Sequence, residues 1–199
     1  MLDVPEMLIR ASARLFARQG YDATSVSDIV QAADVTKGAM YYYFSAKEDL
    51  LFAIHQRFIE AEMRQAQEIL RGTSDPKNRL SRLIVALVES IAEYHDEVTV
   101  FFREMHRLPG PQFEEVRKVR DAYQKVFEDT IIWGQREGIF RSDIEPRIMT
   151  LALFGQCNWT YTWMRSKGSL SAHEIGKRLA KVYLTGALTI RTPASKIGS

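Results

Sequence analysis

Apolar residues recur every three or four positions along almost the whole chain, and no stretch alternates apolar and polar residues with β-branched side chains. The pattern predicts an all-α protein of about nine helices. The first opens near Asp3 with Pro5 in its first turn, buries Leu8, Ala11 and Leu15 along one stripe, and stops at Gly20. A short helix follows Thr24-Ser25 over residues 26–32. Another follows Thr36, with Met40 and Phe44 turned inward and Tyr41 packed beside Phe44. Ser45-Ala46-Lys47-Glu48 reads as a capping box and starts a long helix to about Arg71, closed by Gly72. Asp75-Pro76 opens a fifth helix to about His95, a sixth spans about 96–107, and Pro109-Gly110-Pro111 breaks the chain before a seventh over 112–137. Asp143 opens an eighth. A second capping box, Ser171 to Glu174, opens the last helix, to about Ile190, and the small, polar tail 192–199 is expected to fray.

The second and third helices are separated by only Ala33-Asp34-Val35. Ala32 and Ala33 permit a close crossing, and Val35 is an apolar plug in the turn. That is the outline of a helix-turn-helix, whose second helix enters a major groove N-terminus first. Ser25 caps the first helix of the pair. The second, from Thr36, begins with a hydroxyl, the Lys37 ammonium and, at Gly38, backbone that can approach a phosphate closely. Tyr42 faces out, Tyr43 offers its hydroxyl to a phosphate, and Lys47 at the start of the fourth helix supplies another such contact.

Residues 23–54, ATSVSDIVQAADVTKGAMYYYFSAKEDLLFAI, resemble the DNA-binding signature of the TetR family of bacterial transcriptional regulators. The elements of that signature are a Thr-rich cap, an aspartate–aliphatic pair, a small-residue turn, a Lys-Gly-x-aliphatic-Tyr helix ending in Phe, and a Ser-x-Lys-Glu cap. One departure is Tyr43, where many members carry His. The resemblance implies a DNA-binding unit over 1–47, an effector-binding and dimerisation unit over 48–191 and a tail from 192, and it implies a homodimer on double-stranded operator DNA.

Residues 148–164 contain no charged side chain, and their apolar groups surround the whole helix. Seventeen residues are marginal for a membrane span, and Gln156, Asn158 and three threonines suit lipid poorly. A helix apolar all round must be covered all round. The protein's own core covers one side, and a partner subunit is expected on the other, through Trp159 and Trp163. The last helix adds the stripe Ile175, Leu179, Val182, Gly186 and Ile190, with Lys177, Arg178 and Lys181 facing away. The resemblance implies that two such helices from each subunit form the dimer interface.

An effector cavity is expected among the remaining helices, lined by Phe101, Phe102, Met105 and His106, by Tyr123 and Phe127, and by Asn158 and Tyr161, since ligand sites are mostly apolar with a few orienting polar groups. Residues 155–175 are similar to the eighth-helix stretch of family members that regulate fatty-acid or other acyl-CoA catabolism, with Met164 in place of an aromatic and Ser166 in place of Pro. By that resemblance the effector is an acyl-CoA thioester, and Arg117, Lys118 and Arg120, or Arg103 and Arg107, are candidates for its phosphates. A regulator of efflux or another catabolic gene, with a different hydrophobic effector, is the second reading.

Composition narrows the field without changing it. The 199 residues are 46% hydrophobic and 26% charged, with 11 Gly and 6 Pro, which excludes disordered and collagen-like chains. Cys157 is the single cysteine, so disulfide frameworks and Cys-cluster zinc sites are excluded. No secretory leader is legible at MLDVPEMLIR, and the cytoplasm is the expected location. Net charge is +2, yet residues 1–50 hold five Lys/Arg against seven acids, so DNA binding there must depend on placement rather than bulk charge. An enzyme finds little support: the four histidines are scattered, Cys157 sits in apolar surroundings that would raise its pKa, and no Gly-rich phosphate loop follows a strand. No cofactor or metal is expected.

Overall fold

The computed structural model describes residues 3–165 and 168–188, so the expectations for Ser166, Ile190 and the tail fall outside the described residues. Among the described residues the helices are α1 (Val4–Gln19), α2 (Val26–Ala32), α3 (Lys37–Tyr43), α4 (Lys47–Arg71), α5 (Pro76–Glu93), α6 (His95–Glu104), α7 (Gly110–Arg136), α8 (Pro146–Asn158), α9 (Thr160–Trp163) and α10 (Ala172–Ala187). A 3-10 turn over Met105–Arg107 follows α6. The nine expected helices are all present, the eighth in two pieces. None of them is long and apolar enough to cross a membrane.

Local chemistry sets most boundaries. The Asp3 carboxylate accepts from the Glu6 N–H at 3.1 Å, Pro5 occupies the first turn, and Gly20 ends α1 at φ 91°, a backbone region that favours glycine. Asp75 caps α5 through the Asn78 N–H at 2.6 Å, and Ser171 and Glu174 form the expected box on α10. The box expected at Ser45–Glu48 is displaced by one residue. Helix α4 starts at Lys47, which makes Asp49 its third residue, and Asp49 accepts from the Ala46 N–H at 3.0 Å.

Helices α1–α3 form a small head around Leu8, Phe16, Ile29 and Met40, all buried together with Leu50, Leu51 and Ile54 at the start of α4. The rest of α4 runs into the body, where it packs on α7, α5 and α6, and α6 also lies against α1. Helices α5 and α10 cross closely because Gly176 has no side chain: a Cβ there would stand 3.0 Å from the Val85 Cα. The eighth helix opens at Pro146 rather than Asp143 and breaks at Trp159. One turn then carries Tyr161, whose ring stacks on Phe102 with centroids 5.2 Å apart, and His95 Nε2 donates to the Tyr161 carbonyl at 3.0 Å.

Gly134 on α7 is the tightest point of the core. A Cβ at this position would fall 2.1 Å from the fully buried Phe140 ring. Gly134→Ala is therefore expected to displace Phe140 and lower the unfolding free energy by about 1–3 kcal/mol, the usual range for overpacking. Urea denaturation checks this; an unchanged midpoint would show that the loop carrying Phe140 yields freely.

Candidate DNA-reading head and effector cavity

The turn between α2 and α3 is closed by three backbone bonds: Ala33 N–H to Ile29, Asp34 N–H to Gln31 and Val35 N–H to Val30. Asp34 takes φ 54°, the left-handed conformation that a short polar residue tolerates at this point of a Schellman turn. At the start of α2, the Ser25 hydroxyl accepts from the Asp28 N–H at 3.1 Å and donates to the Asp28 carboxylate at 2.7 Å. At the start of α3, the Thr36 hydroxyl accepts from the Ala39 N–H at 3.0 Å, so its own proton remains available to an outside acceptor. Lys37 and Gly38 are exposed, and so is Tyr42, at 81%. Tyr43 is half exposed, with its ring edge-on to that of Tyr42. The head thus presents one outward surface of hydroxyl, ammonium, bare backbone and phenol. Tyr41, expected to pack, is 53% exposed instead, because the short helix buries only Met40 on its inner side.

Lys47 stands differently from its expected place as a phosphate contact. Its ammonium donates to the carbonyls of Tyr21 at 2.8 Å and Thr24 at 2.9 Å and lies 4.1 Å from the Tyr21 ring centroid. Two of its three protons therefore clamp the start of α4 to the loop between α1 and α2.

Gly38 sits at an ordinary φ, and a Cβ would meet nothing nearer than Thr36 Oγ1 at 3.8 Å. The fold does not require glycine here. Gly38→Ala is expected to hold or raise the melting temperature, since alanine is favoured over glycine in a helix by up to about 1 kcal/mol. If backbone at Gly38 approaches a phosphate, the same change weakens operator binding roughly tenfold, the scale of one lost charge-assisted hydrogen bond. Thermal melts and operator titrations of the one variant check both halves.

A cavity of about 840 Å³ opens in the body between α4, α6, α7, α8 and α9. Phe101, Phe102, Met105, His106, Tyr123, Asn158 and Tyr161 all line it, joined by Phe58, Ile59, Phe113 and Phe154. Phe127 does not reach the wall. It is fully buried behind Tyr123 and Phe154, with ring centroids 5.2 and 4.9 Å away. Arg120 is on the wall, its guanidinium shared with Asp121 at 2.9 Å, while Arg117 is paired with Glu114 and Asp121.

Arg103 and Arg107, candidates for effector phosphates, point to the head instead. Arg103 donates to the Ala17 carbonyl at 3.3 Å. Arg107 pairs with Asp22 and with the buried Glu104, each at 2.7 Å, and Glu104 accepts from the Tyr21 N–H at 3.4 Å. The segment that lines the cavity through Phe101, Phe102, Met105 and His106 is therefore bonded to the loop after α1, the same loop that Lys47 clamps.

Two buried groups of α4 were missed from sequence, one on the cavity wall and one behind it. Glu62 lines the cavity, is 4% exposed, and its Oε1 has no hydrogen-bond partner; burial pushes its carboxyl up to about 8. His55, two turns earlier, is fully buried against Phe101 with neither ring nitrogen bonded, and burial pushes it down to about 4. The signal was present: His55, Phe58, Ile59, Glu62, Ala66 and Ile69 fall on the buried stripe of α4 at helical spacing. Cys157 is also buried, its thiol pushed up to about 12 by desolvation, which makes it a poor nucleophile.

On α8 to α10 the uncharged stretch is buried only along Met149, Thr150, Leu153, Cys157 and Thr160. Ile148, Trp163 and, on α10, Val182 are about half exposed or more, and Gly186 is exposed, while Leu151 and Trp159, also exposed, line the cavity at its open side. The α10 stripe divides. Ile175 faces its own core against α5, Leu179 is half-buried at the edge, and Val182 and Gly186 remain open.

Comparison with known proteins agrees with this geometry. Residues 8–54 match the family described as bacterial regulatory proteins, tetR family, and residues 73–187 match the tetracyclin repressor-like C-terminal domain. The HTH-type transcriptional repressor KstR2 of Mycobacterium tuberculosis is 27% identical over 180 residues, covering 90% of each chain. The structure of the ketosteroid transcriptional regulator KstR2 from the same organism is similar with a TM-score of 0.88 at 26% identity, over 95% of this chain and 97% of that one. AibR, solved in complex with isovaleryl coenzyme A and operator DNA, shares the fold with a TM-score of 0.80 at 21% identity, over 94% of this chain and 98% of its own. The chain belongs to the TetR family of bacterial transcriptional regulators, proteins that bind DNA and are not enzymes.

Proposed function

We propose that the protein is a homodimeric repressor that leaves its operator when an acyl-CoA thioester enters the cavity between α4 and α9. One observation carries this reading: the segment that lines the cavity through Phe101 to His106 also bonds the head through Arg103 and Arg107. An occupant that moves α6 must pull on Tyr21 and Asp22, and hence on the clamp at Lys47. The DNA-binding unit, residues 1–47, then swings as one piece on α4, while residues 48–191 hold the effector and the partner.

Ser25, Thr36, Lys37, Gly38, Tyr42 and Tyr43 make the operator surface in this reading. Lys47 acts mainly by holding the head on α4. The partner subunit covers the open side of α8 and α10 at Trp159, Trp163, Leu179, Val182 and Gly186, with Ile175 supporting from beneath. Two heads then meet half-sites one or more helical turns apart, and a change in their separation releases DNA. A coupling of about 1–3 kcal/mol per effector is enough. The aromatic walls suit an acyl group, and Arg120 and His106 at the exposed side suit the phosphates of coenzyme A. The fold neighbour solved with isovaleryl coenzyme A and operator DNA is consistent with this.

Fluorescence anisotropy on DNA from upstream of the protein's own gene, at fixed salt, tests the proposal. Binding relieved by short- or long-chain acyl-CoA supports it, and binding indifferent to every acyl-CoA rejects the effector class. The second reading, a hydrophobic effector without coenzyme A, draws on the cavity wall, where Arg120 is the single arginine among the described residues. The free compounds, run in the same titration, separate the two.

A further inference from the structure

The walls of the cavity are mostly aromatic and aliphatic, with the amides of Gln124 and Asn158 among them, and groups that can carry charge or a phenol proton gather at two places. At the exposed side stand His106 and Arg120. At the buried side stand Glu62 on α4 and Tyr123 on α7, 4% exposed each. We propose that Glu62 and Tyr123 form a two-donor recognition point at the buried side of the cavity for an uncharged oxygen, a ketone or hydroxyl, carried by the apolar part of the effector. The inference deepens the effector reading above and rests on its cavity.

Three observations bear on it. Oε1 of Glu62 is enclosed and has no hydrogen-bond partner, a state that native interiors rarely leave uncorrected. Burial holds the carboxyl neutral at pH 7, so it keeps a proton to donate. Burial, and after it the nearby Glu62, hold the Tyr123 phenol well above its ordinary value, so it too is a neutral O–H donor. Two neutral O–H groups lining the buried side of one cavity match the two lone pairs of a carbonyl oxygen. A carboxylic acid kept protonated by an apolar site can donate a hydrogen bond to such an oxygen. An ammonium group fits less well: it would require Glu62 to ionise among aromatic rings, where desolvation of both charges opposes the pair. A plain hydrocarbon chain fits worse, since it would offer Glu62 Oε1 no partner. The acyl group selected is therefore oxygenated at the part remote from the thioester.

The probes are cyclohexylacetyl-CoA and (4-oxocyclohexyl)acetyl-CoA, which differ by one oxygen, with cyclohexanone as a ketone free of coenzyme A. Calorimetric titration is expected to give the oxo thioester at least tenfold higher affinity than its parent in the wild type. In Glu62→Leu the ratio should fall to about one, and in Glu62→Gln, whose amide also donates, part of the ratio should return. Infrared difference spectra of wild type against Glu62→Gln should show a carboxylic-acid C=O band at pH 7 that shifts when the oxo probe binds. A ratio unchanged in Glu62→Leu overturns the proposal, as does absence of the acid band. If neither thioester binds, the acyl-CoA reading fails by itself. The band's response to cyclohexanone then decides the recognition point, a shift supporting it and no shift overturning it.

Discussion

Replacing Lys37 and Tyr42 together by alanine is expected to lower operator affinity by about 1,000-fold or more, because an ammonium and an outward-facing phenol, each contributing roughly 1–3 kcal/mol, are lost from each of the two heads of the proposed dimer. The loss of two ammonium groups per dimer should also flatten the dependence of log affinity on log salt by about 2. Stability should not follow. Lys37 is exposed and Tyr42 is 81% exposed, and substitutions at such positions usually move the folding free energy by less than about 0.5 kcal/mol. Anisotropy titrations at several salt concentrations, with a thermal melt of the same sample, give both readings. Full affinity in the double variant would remove α3 as the reading helix, and a collapsed melting temperature would mean that Tyr42 is structural.

That surface was legible because its determinants are local. Ser25 and Thr36 announce the starts of α2 and α3 by their position before an apolar run, and Asp34 supplies the left-handed turn that only a few residue types accept. The cavity was legible in part, since the aromatic residues of α6, α7 and α9 sit at helical spacing, but periodicity alone cannot say which ring faces a void and which sits behind it. Phe127 illustrates the limit: it shares a helical face with Tyr123, four residues earlier, yet Phe154 lies between it and the cavity. Long-range ion pairs were not legible at all. Arg107 meets Asp22 across 85 residues of sequence, and nothing at either end marks the partner. The clamp at Lys47 was not legible for a related reason: the carbonyls of Tyr21 and Thr24, which accept from its ammonium, lie more than twenty residues away in sequence. Glu62 and His55 were legible in principle, as charged letters on an apolar stripe, and their burial is what the local rule disfavours. Such violations gather where a ligand or a moving part compensates for them.

The buried acid makes stability fall with pH where most proteins are indifferent to it. The Glu62 carboxyl rises from its ordinary 4.5 to about 8 on folding, with burial the sole cause. Between these values the folded state holds a proton that the unfolded state has released. Stability is therefore full below pH 4.5 and declines as pH rises to about 8, by about 1.4 kcal/mol per pH unit. His55 works in the opposite sense. Its ring drops from 6.5 to about 4, so its contribution is full above pH 6.5 and is lost as pH falls toward 4. The two slopes cancel between pH 4.5 and 6.5, leaving a plateau there and a decline above it. Glu62→Leu removes one slope. The variant is expected to match wild type near pH 4.5, to exceed it by roughly 3 kcal/mol at pH 7, and to gain no more above pH 8. Urea denaturation of both proteins across pH 4.5–9, at one protein concentration so that association does not intrude, isolates Glu62, because every other titrating group is common to the pair. A difference that stays constant with pH would mean that water reaches Glu62 in the folded state. The carboxyl would then be ionised and solvated at neutral pH, and no proton would be held at the buried side of the cavity.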